Sequence, residues 1–289
     1  MKSFLSVLSF LCLVAPIHPV FAIDPGTAQG SLQVNAKTIP ISQAYAHLHD
    51  NAEGLLDRPK ELRIVLADRE VPQETLAGIA FLPVTQMAKE GKVQGLLIQL
   101  DPNDRSSFVV TLLYPPANPG ESLMAQTVST TSQKAFKRLE IVGQRVVGEI
   151  ESRDQREANS TDMPKLDYSV RFSAPLFHEL AITADLKGKA AQNSRQVGVL
   201  RKKVEALGKG DFDAVRRLSS AGANRRNEAF LAQSGPKAKS FAKQAAAEME
   251  KSIKRIQRVV VRGERAVAIF SDKEWGTFVR EGTEWKSDD

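Results

Sequence analysis

Apolar and polar positions alternate along much of the chain up to Thr183, which is typical of strands with one buried face. Strand-like runs occupy Glu61–Asp68, Val93–Asp101 and Ser107–Pro116, and a PNDRS turn cluster joins the last two. In KLDYSVRFSAPL, four apolar side chains alternate from Leu166 to Phe172. Repeated strands with turn signals and few long helices predict a mostly antiparallel barrel or sandwich.

Two short polar stretches in this half are candidate hairpin turns. Asn35-Ala36-Lys37 separates two alternating runs, and Asn tolerates the positive φ that tight hairpins need. Gly143-Gln144 divides the run FKRLEIVGQRVVGEIES in the same way. We therefore expect a hairpin at each position.

From Val197 the apolar spacing changes to three and four residues, which predicts an amphipathic helix up to Leu207. The tetrapeptide GKGD interrupts it, because Gly208 or Gly210 can adopt a left-handed conformation and Asp211 can cap a following helix.

Pro236 is a candidate start for a long helix that runs to about Arg255. IQRVVVRGERAVAIFSD and WGTFVREGTEWKSD then predict two hairpins, the second with Glu281-Gly282 at its tip. The expected fold class is α+β: a β-rich barrel or sandwich followed by a small domain of helices on a curved sheet.

The first residues have the pattern of a secretory signal peptide: a basic Lys2, an apolar run Phe4–Val14, and a cleavage signal ending at Ala22. Pro16, His18 and Pro19 interrupt the run too early for a membrane-spanning helix. Cleavage removes the only cysteine, Cys12, so the mature chain has no disulfide and no thiolate chemistry. We expect a periplasmic or secreted protein that does not span the membrane.

Composition divides the rest of the chain. We expect a signal peptide over 1–22, a β-rich domain over 23–184, a linker over 185–196 and an α+β domain over 197–289. The linker is inferred from ADLKGKAAQNSRQ, which has few large apolar residues.

Basic charge is concentrated in the second half. Arg195–Arg265 contains 18 Lys and Arg against 7 Asp and Glu, a net charge of +11 in a chain whose total is +6. Such an excess favours an envelope protein, an anionic lipid head group or a cell-wall polymer as partner, although a merely solvated helix face remains an alternative. Nucleic acid is not expected, because the helices lack interleaved aromatic residues. The candidate anionic-surface contacts are Arg201, Lys202, Lys203, Arg216, Arg217, Arg225 and Arg226.

Two family resemblances accompany these patterns. The motifs GSLQVNAK, AYAHL, LRIVLADREVP and YSVRFSAPL, over most of Gly30–Leu176, resemble an uncharacterised family of exported bacterial proteins, in which a Gly usually stands where Ala36 does. The motifs KGDFDAV, VVVRGERAVAIFSD and GTFVREGTEWK, over about Gln196–Lys286, resemble the nuclear-transport-factor-2-like fold. That resemblance implies helices against a curved antiparallel sheet that a terminal hairpin completes.

On such a sheet, Trp275, Phe278 and Trp285 are the candidate ligand-binding residues of the concave side. The simpler interpretation, which we favour, is that these aromatic side chains form the core.

His47 and His49 are the candidate metal ligands, because alternate residues of a strand face the same side. For a third ligand the sequence offers only generic carboxylates and the distant His178, and we favour two solvated imidazoles at a partly exposed strand end.

No catalytic motif is present, among them H-E-x-x-H, G-x-S-x-G, a phosphate-binding loop or a dinucleotide fingerprint. We expect no cofactor and no catalytic residue, and therefore a non-enzymatic binding or scaffolding protein of the bacterial cell envelope. The alternative is a hydrolase or lyase that uses a carboxylate in a cavity of either domain.

Overall fold

The computed structural model describes residues 26–72, 75–76, 82–104, 107–116, 122–129, 136–152, 165–234 and 238–288. The expected signal peptide and Pro236 lie outside these residues. Two antiparallel-rich sheets and six helices make up the described part, which confirms the α+β class.

The N-terminal half is a strongly curled half-barrel of nine strands. Its strand order is β6-β5-β4-β3-β2-β1-β9-β8-β7. The strands are β1 (Thr27–Val34), β2 (Lys37–His49), β3 (Glu61–Ala67), β4 (Gly95–Leu100), β5 (Ser107–Leu113), β6 (Ala125–Ser129), β7 (Phe136–Val142), β8 (Arg145–Ser152) and β9 (Leu166–His178).

Both expected hairpins of this half are present. Val34 pairs with Lys37 across the Asn35-Ala36 turn, in which Asn35 has a φ of 54°. Val142 pairs with Arg145 across Gly143-Gln144.

Strands β2 and β9 lie on either side of β1 and are both longer than β1. Both strands extend beyond β1, so Ala46–Leu48 pairs directly, and in parallel, with Leu176–His178. This pairing places His47 and His49 next to the residues that follow β9. The concave face holds the main core, and Gly148 gives the Phe172 ring room there, because a Cβ on Gly148 would lie 2.4 Å from the ring.

A second core covers the outer face of β3, β4 and β5. Helix α1 (Leu82–Lys89) packs Val84 and Ala88 there against strand residues such as Leu97. Every residue of β3 is therefore buried.

The C-terminal half is a five-stranded antiparallel sheet with helices on one face. Its strands, in sheet order, are β10 (Ala184–Lys187), β11 (Ile256–Arg262), β12 (Arg265–Phe270), β13 (Trp275–Glu281) and β14 (Glu284–Ser287). The helices are α2 (Lys189–Gln192), α3 (Arg195–Lys209), α4 (Phe212–Leu218), α5 (Ala221–Ser234) and α6 (Ala238–Lys254).

The expected helix break at GKGD is present. Gly210 ends α3 with a left-handed φ of 69°. Asp211 caps α4 by accepting a hydrogen bond from the amide of Ala214 at 2.9 Å. The break lets α3 and α4 contact the same terminal strand, β14, from different directions.

The segment expected to be a linker, 185–196, has regular structure. Residues of β10 form the edge of the second sheet, α2 follows, and Ser194 caps α3 by accepting from the amide of Val197 at 3.3 Å. Its low apolar content reflects the half-exposed position of β10 at a sheet edge.

Candidate functional site

A cavity of about 850 Å³ opens between α3, α4 and the turn before β14. Arg195, Val199 and Lys202 line it from α3, where spacings of four and three residues place them on one helix face. Arg217 lines it from α4, and Trp285 from β14. We call this cavity the cationic pocket.

Four basic side chains and one carboxylate line the cationic pocket. Lys286 is held in place, since its ammonium lies 2.5 Å from a Glu284 oxygen and donates to the Arg217 carbonyl at 2.7 Å. Within the described part of the chain, the side chains of Arg195, Lys202 and Arg217 have no hydrogen-bond or ion-pair partner. The hydrogen bond from Lys286 lowers the pKa of Glu284, so this group is a carboxylate at neutral pH. The pocket therefore carries three excess positive charges.

The three predicted aromatic residues do not share one ligand face. Trp285 is half-buried, packs against the core between the C-terminal sheet and its helices, and lines the cationic pocket. Phe278 is 2% exposed inside that core, as the simpler interpretation expected. Trp275 is exposed, and its odd-numbered spacing from Phe278 puts it on the opposite face of β13.

The seven predicted surface cations also separate. Lys202 and Arg217 line the cationic pocket. Lys203 is buried and its ammonium donates to Ser287 Oγ at 2.8 Å, so the expectation that it contacts an external surface is wrong. Its position on α3 faces β14 instead of solvent.

The other four cations lie elsewhere on the helices. Arg201 donates to Gln192, Arg216 pairs with Asp213 at 3.0 Å, and Arg225 is exposed on α5. Arg226 donates to the Asp288 carbonyl. Arg201 also lines a second groove of about 660 Å³ between α3 and α6, where glutamates accompany the cations. Among these grooves, the excess positive charge is thus largest in the cationic pocket.

A buried polar cluster lies where the two halves meet, at the end of β2. His47 and His49 are 3% and 0% exposed, so the expectation of solvated imidazoles is wrong. Both point away from the main core, as alternation on the strand predicts. We call these histidines, with Asp50, Glu53, Glu179 and Arg262, the histidine cluster.

The loop after β2 turns two carboxylates back towards His49. Asn51 holds this loop, since its amide nitrogen donates to the carbonyls of Leu56 and Arg58 at 2.8 and 2.6 Å. One oxygen of Glu53 consequently lies 3.7 Å from His49 Nε2, and both atoms are buried without a hydrogen-bond partner among the described residues.

Glu179, just after β9, lies on the other side of the imidazoles. Its Oε2 is 2.9 Å from His49 Nδ1 and 3.4 Å from His47 Nε2. Burial alone would raise the pKa of Glu179, but the hydrogen bond from His49 and the nearby His47 and Arg63 lower it to about 2. Burial is the main reason that the pKa of His47 falls to about 4, against the attraction of Glu179. At neutral pH, Glu179 is ionised and His47 is neutral.

Arg262, at the end of β11, reaches into the cluster from the C-terminal half. It donates to Glu53 Oε1 at 2.8 Å, to Asp50 at 2.5 Å and to the Leu180 carbonyl. A side chain of the second sheet thus neutralises carboxylates of the first.

Sequence reasoning found His47 and His49 but missed their partners. The ligand-type atoms that come together, within 4.8 Å of one another, belong to His49, Asp50 and Glu53. The HLHD context contained Asp50, and the carboxylate four residues after His49 was the available signal for Glu53. His178, the other histidine in this part of the chain, is exposed.

The fold and the pocket define a class: an α+β protein with a half-barrel and a helix-covered sheet that carries a cationic pocket. No protein-family model, curated protein or solved structure matches this chain. Among the described helices, none combines the length and the apolar character needed to cross a bilayer.

Proposed function

We propose that this chain is an exported, non-enzymatic binding protein of the cell envelope, and that the cationic pocket holds the anionic head group of a lipid. The observation that carries this proposal is the set of unpaired cations around a half-buried indole: Arg195, Lys202 and Arg217 beside Trp285. Basic side chains attract anionic head groups, and Trp is favoured at the boundary between lipid and water.

The state of Glu284, the carboxylate of the cationic pocket, supports a binding protein over a hydrolase or lyase. A general acid at neutral pH needs a raised pKa, whereas the hydrogen bond from Lys286 lowers the pKa of Glu284. Glu284 serves to position Lys286 at the rim. The resemblance of the C-terminal half to the nuclear-transport-factor-2-like family stays a prediction.

The lipid proposal is tested by sedimentation with phosphatidylglycerol vesicles, with phosphatidylcholine vesicles as the uncharged reference. We expect the double variant Lys202→Glu/Arg217→Glu to bind phosphatidylglycerol at least about 30-fold more weakly, because each lost cation costs about 1 kcal/mol near an anionic surface. Lys187→Glu/Lys251→Glu, which changes net charge equally outside the pocket, should retain most of the affinity.

Competition with soluble sn-glycerol 3-phosphate separates a bound head group from general attraction to the vesicle. Release of the protein supports the pocket. Equal loss of binding in both double variants, or equal binding to both kinds of vesicle, would contradict the proposal. Binding to an acidic envelope protein or cell-wall polymer, and not to vesicles, would replace the lipid with that partner.

Export has a separate test. If the signal peptide is removed as proposed, intact mass measurement of the protein from a bacterial host should give a chain that starts at Ile23. A chain that retains residues 1–22 would contradict export by this route.

A further inference from the structure

The histidine cluster contains two buried polar atoms, one of His49 and one of Glu53, that face each other without a hydrogen-bond partner among the described residues. His49 Nδ1 lies 2.9 Å from Glu179 Oε2, and with a carboxylate as the acceptor Nδ1 is the donor of this hydrogen bond. In the neutral imidazole with its proton on Nδ1, Nε2 carries a lone pair that can bind a metal ion. Nε2 faces Glu53 Oε2 at 3.7 Å, and both atoms are buried and lack a hydrogen-bond partner among the described residues.

A buried acceptor without a partner costs free energy, and here two acceptors share the same space. A cation between them would satisfy both. Around tetrahedral Zn²⁺, ligand atoms at 2.0–2.2 Å from the metal are about 3.4 Å apart, close to the separation seen here.

We propose that His49 Nε2, Glu53 Oε2 and a carboxylate oxygen of Asp50 bind a divalent transition-metal ion such as Zn²⁺. One ligand-type atom of each residue lies within 4.8 Å of the others. Both Asp50 oxygens accept from Arg262, at 2.5 and 3.2 Å, so the Asp50 side chain must shift for one of them to reach the ion. The Asp50 side chain is 45% exposed and marks the route by which the ion enters.

The surroundings of His49 are those of a metal-binding imidazole. Such a histidine usually donates its other ring nitrogen to a carboxylate, which fixes the ring and raises the basicity of the ligating nitrogen. Glu179 occupies that position at 2.9 Å. Glu53 accepts a hydrogen bond from Arg262 through Oε1, and its Oε2 is available to bind the ion. One carboxylate can therefore contact both cations.

The ligand set also selects the kind of ion. One imidazole and two carboxylates suit Zn²⁺ and neighbouring transition metals, whereas Ca²⁺ requires six to eight oxygen ligands. His47 is not a ligand in this site, because it is not among the three residues whose ligand-type atoms lie within 4.8 Å of one another.

Calorimetric titration of the tag-free, full-length chain with ZnCl₂, after dialysis against EDTA, tests the site. We expect one Zn²⁺ per chain, and at least 10-fold weaker binding for His49→Ala and for Glu53→Gln. The matched controls His178→Ala and Glu264→Gln change exposed residues and should bind as the parent does.

Circular dichroism establishes whether each variant is folded. If a buried variant fails to fold, Asp50→Asn, at a partly exposed position, takes its place in the Zn²⁺ titration. Visible absorption of the Co²⁺-loaded chain should show intense tetrahedral bands that His49→Ala lacks. Three results would overturn the proposal: no saturable Zn²⁺ binding, equal affinity in parent and His49→Ala, or equal saturation by Ca²⁺.

Discussion

Asn51 organises the loop that carries Asp50 and Glu53 towards His49. Its Oδ1 accepts from the amides of Leu55 and Leu56 at 3.0 Å, in addition to the two bonds that its amide nitrogen donates. Its φ of 47° lies in the left-handed region, which Asn tolerates better than most residues. One side chain therefore fixes both the path and the handedness of the loop.

Replacing Asn51 should destabilise the protein through both effects. We expect Asn51→Ala to lower the free energy of unfolding by roughly 2–4 kcal/mol, since several hydrogen bonds worth about 0.5–1.5 kcal/mol each are lost. Asn51→Gly also loses them but removes the left-handed penalty, so it should be about 1 kcal/mol less harmful than Asn51→Ala. Urea unfolding measures both. Equal free energies in parent and Asn51→Ala would show that the loop does not depend on this residue.

Tyr168 makes the stability of the half-barrel decline at alkaline pH. Burial in the main core raises its pKa to about 12, from an ordinary value of 10.0. The unfolded chain therefore loses the Tyr168 hydroxyl proton at a lower pH than the folded chain does. The contribution of Tyr168 to the free energy of unfolding is complete below pH 10 and declines as the pH rises towards 12. Near pH 11 the loss is about 1.4 kcal/mol.

Tyr168→Phe should remove that part of the decline between pH 9 and pH 11, as measured by urea unfolding at each pH. Tyr114→Phe, at a half-buried position, is the matched control and should decline as the parent does. An equally steep decline in Tyr168→Phe and the parent would refute the assignment.

Strand alternation was enough to place His47 and His49 on one side of β2. It could not show that this side is buried, because the covering groups are distant in sequence: Glu179 follows β9, and Arg262 ends β11. For the cationic pocket, Lys202, Arg217 and Trp285 were identified from charge and aromatic content. Arg195 was missed, although it lies two helical turns before Lys202.

At the scale of elements, the junction of α3 and α4 sets the shape of the cationic pocket. One continuous helix would carry Arg217 away from Lys202 and from β14. Gly210 makes the change of direction at its positive φ, whereas Gly208, two residues earlier, is an ordinary helical residue.

These two glycines should respond to alanine in opposite directions. Gly210→Ala should destabilise by about 1 kcal/mol, because a Cβ is strained at positive φ. Gly208→Ala should stabilise by roughly 0.5–1 kcal/mol, because alanine favours the helix and its Cβ would meet Ala246 at an ordinary 3.8 Å. Thermal unfolding of the two variants provides the comparison. The same sign in both would contradict the helix break.

Patterns of period two or of three to four residues predicted the long elements but not the short or weakly amphipathic ones. The hairpins of β11 to β14 were predicted because they combine apolar alternation with Gly turns. Strand β10 has four residues with alternating half-exposed and exposed positions, so its sequence resembles a linker. Helix α5 was also missed, because AGANRRNE lacks a continuous apolar face.

At the scale of the whole molecule, Arg262 joins the two halves. It is 7% exposed and donates to Glu53, to Asp50 and to the Leu180 carbonyl, all of them outside its own sheet. Arg258, on the same strand, donates to the Glu53 carbonyl at 3.3 Å. Unfolding of either half therefore exposes charges that the other half had neutralised.

Arg262→Ala should lower the free energy of unfolding by roughly 3–5 kcal/mol, because Glu53 would keep a buried charge without its partner. The two halves should also lose cooperativity, so that one calorimetric transition divides into two. Arg280→Ala removes an exposed pair with Glu264 and should leave both quantities unchanged. Equal behaviour of the two variants would show that Arg262 does not link the halves.

The proposed binding of an anionic lipid head group in the cationic pocket places that group beside Trp285. The chain has two tryptophans, so in Trp275→Phe all tryptophan emission comes from Trp285. We predict that phosphatidylglycerol vesicles shift this emission to shorter wavelength and protect it from iodide, and that phosphatidylcholine vesicles do neither. Unchanged emission at a saturating concentration of phosphatidylglycerol would contradict the account.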